Sequence, residues 1–122
     1  MHAPQPNPRF PHHASLYTAT GAHPLTLRIA HHFTSRLLGL LFAPPLAPHE
    51  GLLLTECSSV HSAFMRLTID VVYLDRNDRV VRCVPMLTPW SASASWGATH
   101  VLELAKGGIA RYVINPGDRL QR

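Results

Sequence analysis

Apolar and polar residues alternate most clearly over residues 24–30, where Leu25, Leu27 and Ile29 point one way and Thr26 and Arg28 the other. A period of two marks a strand with one buried face. Residues 100–104 repeat the pattern as H-V-L-E-L, with Glu103 on the side of Val101 and away from Leu102 and Leu104. Two runs lack a polar face: G-L-L-L-T at 51–55, and I-D-V-V-Y-L-D at 69–75, apolar on both sides except for Asp70. Such runs predict strands covered on both faces. Over 33–42 the spacing becomes helical. Phe33, Leu37, Leu40 and Leu41 share a face, Thr34 or Ser35 supplies a cap, and Pro44-Pro45 ends the segment. Gly39 inside it costs about 1 kcal/mol of helix propensity against alanine, which marks it as a close-packing position. A second helix of one or two turns is predicted over 106–112.

Turn residues divide the rest. Arg76-Asn77-Asp78-Arg79 is a tight turn joining 69–75 to a returning strand at 80–86. With Asn77 and Asp78 as the two turn residues, Asp75 faces Val80, Tyr73 faces Arg82 and Val72 faces Cys83, which puts Cys83 on the face of Asp70. Residues 15–20 predict a short edge strand, and Asn115-Pro116-Gly117-Asp118 predicts a turn before a last strand at 119–121. Residues 89–98 read as a long loop of serine, alanine and tryptophan. Residues 1–14, rich in proline, predict a disordered tail ahead of a single domain at 15–122. The expected fold is α+β and β-rich: a small, mostly antiparallel sheet of five to seven strands, or a partly open β-barrel, with two short helices.

Composition narrows the partners more than the fold. At 122 residues the chain makes one domain, and its 46% hydrophobic content is ordinary for one. No apolar run approaches the ~18–20 residues of a membrane-spanning helix. The start has no apolar segment of the kind a secretory signal needs, so a cytoplasmic location is expected, or export if the true start lies elsewhere. The net charge is +4, and ten of the eleven basic residues are arginine. They are scattered rather than gathered into a stripe with stacking aromatics, which argues against a nucleic-acid reader. Cys57 and Cys83 form no C-x-x-C, so both are expected to be free thiols rather than metal ligands or a disulfide. No cofactor motif is present.

Several of these segments in order resemble a known family, the bacterial and archaeal domain of unknown function 192. Its pattern is similar to Arg36, Gly39, Leu40 and Leu41 in the helix, then residues 51–54, then Phe64, Met65, Arg66, Ile69, Asp70, Leu74 and Asp75. Residues 101–104, Gly108 and Gly117-Asp118 continue it. Three features depart from the pattern. His61 and Ala63 stand where aromatic residues are usual, Asn77-Asp78 replaces an Asp-Gly turn, and an export signal carried by many members is missing. The resemblance implies a compact β-barrel-like fold and no established activity.

The candidate site gathers around two acids. Asp70, an ionisable group in an apolar strand, is either a ligand-binding or acid–base carboxylate, or a structural one held by backbone N–H groups of the 64–68 loop or by Arg36 or Arg66. Glu103 is either a second inward acid facing Asp70 across a cavity, as paired carboxylates do in glycosidases, or a solvent-facing acid paired with an arginine. His61, near Cys57, Ser58 and Ser59, has the residue types of a nucleophile pair but no G-x-S-x-G elbow. A metal site from His61, His100 and Glu103 would need assembly across strands, and no local metal spacing exists. Trp90, Trp96, Phe64 and Met65 have the character of an apolar lip for a planar ligand. The expectation is therefore a non-catalytic domain binding a small polar ligand or a protein partner through Arg36, His61, Phe64, Met65, Asp70, Trp90, Trp96 and Glu103. The first alternative is an enzyme on a carbohydrate-like substrate using Asp70 with Glu103 or His61. The second, implied by the resemblance, is an accessory protein in pilus or envelope assembly.

Overall fold

The computed structural model describes residues 12–30, 46–61, 68–88 and 91–122. Seven strands form one mixed sheet: β1 (His12–Thr18), β2 (Gly21–Ala30), β3 (Glu50–Leu54), β5 (Ile69–Leu74), β6 (Val80–Leu87), β8 (His100–Ala105) and β9 (Arg119–Gln121). Their order is β6-β5-β8-β3-β2-β1-β9, and every neighbouring pair is antiparallel except β2–β3. Two three-residue strands, β4 (Ser59–His61) and β7 (Ala92–Ala94), pair as a separate ribbon. Among the described residues one short helix, α1 (Gly108–Tyr112), packs against β5, β6 and β8.

The strands curl into a half-barrel whose outermost members meet at one end. There Arg79 bridges Arg119, Val80 donates its N–H to Asp118 O at 2.7 Å, and Leu120 donates to Asp78 O at 2.9 Å. The partly open barrel expected from the sequence is thus the observed architecture. Alternation assigns the two faces. Leu16, Leu27, Leu53, Val72, Leu74 and Leu102, all 0% exposed, fill the inner face. A second apolar cluster, including Leu52, Leu54, Val71, Tyr73 and Val101, covers the outer face of β3, β8 and β5. The strand predicted to be central, β5, is buried along its whole length. Full burial of a leucine is worth about 1.5–3 kcal/mol, so these two layers supply most of the driving force for closure. Gly51 is where β3 passes closest to its neighbours: a Cβ there would lie 3.0 Å from both Leu102 Cδ1 and Leu27 Cδ2.

Several expectations need correction. The first strand begins at His12, inside the segment read as a tail, and Ala14 is buried opposite Leu25. The 89–98 segment contains β7, which its serines and alanines did not announce. At the β5–β6 hairpin the pairs Tyr73–Arg82 and Val72–Cys83 are as expected, but Leu74, not Asp75, faces Val80. The reason is a bulge. Asp75 Oδ1 accepts the N–H groups of Asn77 and Arg79, and Asp78 adopts a left-handed φ of 61° that adds a third loop residue. The predicted helix, capped at Thr34 or Ser35 and running to Phe42, lies outside the described residues, and among the described residues α1 is the one helix seen. None of their helices is long and apolar enough to cross a membrane.

Candidate functional site

Asp70 and Glu103 occupy adjacent strands, yet their side chains leave opposite faces of the sheet. The register explains why. Asp70 pairs with Leu104 and Val71 with Glu103. Asp70 therefore lies on the inner face with Val72 and Leu74, and Glu103 lies on the outer face with Val101. The expected facing pair of carboxylates does not form.

On the inner side, Asp70 is 1% exposed and fully engaged. Its Oδ1 accepts the N–H of Met86 at 3.0 Å and of Gly107 at 3.2 Å, and its Oδ2 accepts the N–H of Ile109 at 2.9 Å. One carboxylate thereby fixes the end of β6, where Met86 has a φ of 59°, and the first turn of α1, whose own N-cap, Gly107, has no side chain to offer. The structural alternative holds, with partners other than those expected: the bonds come from 86, 107 and 109, not from the 64–68 loop. Cys83 shares this face, as its pairing with Val72 requires, and burial pushes its thiol pKa up.

On the outer side, Glu103 is also 1% exposed, but its Oε1 has no hydrogen-bond partner. Leu52 and Val71 are its cross-strand neighbours. Removal from water lifts its carboxyl from 4.5 to about 8. One diagonal step along β5, Tyr73 donates its hydroxyl to Ser93 Oγ at 2.8 Å, tying the β4–β7 ribbon to the sheet. Burial raises the Tyr73 pKa, opposed by that bond and by Arg82 and reinforced by Cys57 and Glu103. Arg82 adds a second tie, Nη1 to Ala94 O at 2.6 Å. Cys57 packs on the same cluster and donates its thiol to Ser59 O at 3.0 Å. The ribbon thus brings the 57–61 and 92–94 segments, both expected at the site, over the face that holds Glu103.

The other expected residues scatter. The backbone of His61 pairs with Ala92 in the ribbon. Trp96 is fully exposed on a turn, so it forms no enclosed lip. Arg36, Phe64, Met65 and Trp90 lie outside the described residues. His100 belongs to the inner-face side of β8 and Glu103 to the outer, so these two members of the expected metal set do not converge. Its Nδ1 accepts the Glu56 N–H at 3.1 Å, and its Nε2 stands 3.9 Å from Asp78 Oδ1. Burial lowers its pKa, with Asp78 acting the other way. Cys57 and Cys83 are free and pack on opposite faces. Sequence reasoning missed Tyr73 and Ser93, and a tyrosine inside an apolar strand opposite a serine-rich loop was the available signal, since a buried hydroxyl needs a partner.

Comparison with known proteins gives a consistent picture. The family DUF192, described as Uncharacterized ACR, matches residues 16–122. A UPF0127 protein of Pyrococcus furiosus is 35% identical over 101 residues, covering 80% of this chain and 86% of that protein. A UPF0127 protein of Pyrococcus horikoshii is 43% identical over 67 residues, covering 52% and 57%. Two solved structures share the fold at a TM-score of 0.81. One is a protein of unknown function from Novosphingobium aromaticivorans, 21% identical, covering 90% of this chain and 84% of that one. The other, described as a putative transcription regulator, is from Sinorhizobium meliloti, 26% identical, covering 89% and 91%.

Proposed function

The chain belongs to the DUF192 family, and from that premise we propose that it is a non-catalytic binding domain whose ligand is a small molecule met on the outer face of β3, β8 and β5. The observation that supports this reading is Glu103: a carboxyl 1% exposed whose Oε1 makes no hydrogen bond. An unmade bond at a buried acceptor costs about 1–3 kcal/mol, and a group retained at that cost is where a ligand has something to gain. Tyr73 and Ser93, bonded to each other on the same face, tie down the β4–β7 ribbon, which supplies a wall. Two free thiols fit a cytoplasmic setting.

The acid–base reading through Asp70 and Glu103 has little support, because the sheet separates the two groups. The version using Glu103 and His61 predicts turnover of an oligosaccharide, and binding without turnover separates it from a pure binder. The test is a thermal-shift screen of sugars, nucleotides, metals and common metabolites on wild type and Glu103→Leu. A concentration-dependent rise in Tm that Glu103→Leu abolishes supports the reading, since a ligand specific to the native state stabilises it by linkage. A rise of equal size in both proteins overturns it. No rise in wild type also counts against it, and directs the search to a protein partner.

A further inference from the structure

Resting on that outer-face reading, we propose that the ligand is uncharged where it meets Glu103: a compact apolar molecule carrying a hydroxyl or carboxamide head. The surroundings of the carboxyl carry the argument. Leu52 and Val71 flank it across the two neighbouring strands, and Val101 precedes it on the same face; all three are buried. Among the described residues the ionisable groups on this face are few. Arg28 on β2 lies in the same row, beyond Leu52. Arg82 on β6 is spent on Ala94 O, Glu50 on β3 takes the Ala47 N–H at Oε1, Cys57 bonds Ser59 O, and Tyr73 bonds Ser93. Among the described residues none of them makes a hydrogen bond or ion pair with Glu103.

A cationic head would give up its hydration and then present its remaining N–H groups to aliphatic side chains, so the ion pair would not recover the cost of burial. A carboxylate head would meet another acid. The protonated carboxyl, the form that burial favours here, is neutral and offers one O–H donor with acceptor capacity left over. A hydroxyl or carboxamide satisfies it with a single hydrogen bond, while the apolar body of the ligand packs on Leu52, Val71 and Val101. Because Glu103 is covered, a wall has to move to admit the ligand. The ribbon, three residues a strand and tied to the sheet through Tyr73–Ser93 and Arg82–Ala94, is the wall that moves.

Four probes of one size decide the matter: butanol, butyramide, butylammonium and butyrate, each titrated into the full chain with methyl NMR of Leu52, Val71 and Val101 as the readout. Butanol or butyramide is expected to bind saturably near neutral pH. Its affinity should fall about tenfold between about pH 7 and pH 9 as Glu103 ionises. Glu103→Gln, which keeps a donor and an acceptor, should retain butyramide binding and lose the pH dependence; Glu103→Leu should bind neither neutral probe. A preference for butylammonium or butyrate overturns the inference and leaves the outer face as the site. If none of the four moves those methyls, the outer-face reading falls with it.

Discussion

Two acids sit one residue out of register on neighbouring strands, each 1% exposed, and they have opposite fates. Asp70 looks into the half-barrel and accepts three backbone N–H groups from two separate segments. Glu103 looks out, finds aliphatic neighbours, and leaves Oε1 unbonded. Burial alone therefore does not identify a functional acid. What separates the two is satisfaction: a carboxylate with its lone pairs filled is part of the frame, and one without partners is where the frame is incomplete.

The contrast can be broken most directly through pH. The folded pKa of Glu103, about 8, lies above its unfolded value of 4.5, so between those values the folded chain holds a proton that the unfolded chain has released. Its contribution to stability is fully present below about pH 4.5, is lost as the pH rises through 8, and is level beyond. Urea unfolding of wild type and Glu103→Gln in parallel should show their difference moving by about 5 kcal/mol in favour of the variant from acid to alkaline pH. A pH-independent difference would mean that folding leaves the Glu103 carboxyl at its unfolded value, and a difference moving the other way that it is ionised and paired. Next in size, Asp70→Ala strands three N–H groups and should cost about 4 kcal/mol, with Asp70→Asn losing roughly half as much. A loss below about 1 kcal/mol would erase the distinction between the two acids.

Smaller effects sharpen it. Tyr73→Phe removes the bond to Ser93 and should cost about 1 kcal/mol, with faster hydrogen exchange confined to the β4–β7 ribbon. Exchange spreading into β5 would show that the ribbon and the sheet open as one unit. Gly107→Ala tests the Asp70 side. Gly107 has a φ of 86° with nothing within 4 Å of an added Cβ, so the cost is backbone strain alone, about 1 kcal/mol, read as a small drop in Tm.

What was legible in the sequence follows from the range over which each contact acts. The alternation at 24–30 and 100–104 gave the faces of β2 and β8, including Glu103 beside Val101, because side-chain direction in a strand is a local property. Asp70 stood out for the same reason. Their placement on opposite faces did not, because it depends on the register between β5 and β8, which meet only after β6 and β7 have intervened. The donors to Asp70 come from 86, 107 and 109, distances along the chain that no local pattern spans. The ribbon was hidden for a different reason: Ala92, Ser93 and Ala94 have no strand-like composition, and their pairing with 59–61 is imposed by the sheet beneath. Arg36, Phe64, Met65 and Trp90 lie outside the described residues, so their expected roles stand as proposals.

The hairpin at Asp78 has a consequence for how this chain diverges from its relatives. The turn places Asp78 at a left-handed φ of 61°, a position that glycine, as in the Asp-Gly turn of the pattern this chain resembles, takes without strain. Here the aspartate takes Arg122 Nε at 3.0 Å on Oδ2, its Oδ1 is buried without a hydrogen bond, and its carbonyl accepts Leu120 N–H at the barrel seam. Positions 78 and 122 are therefore expected to change hands together over evolutionary time. A lineage that restores glycine at 78 releases 122 to drift, and one that keeps the aspartate keeps a basic residue opposite it.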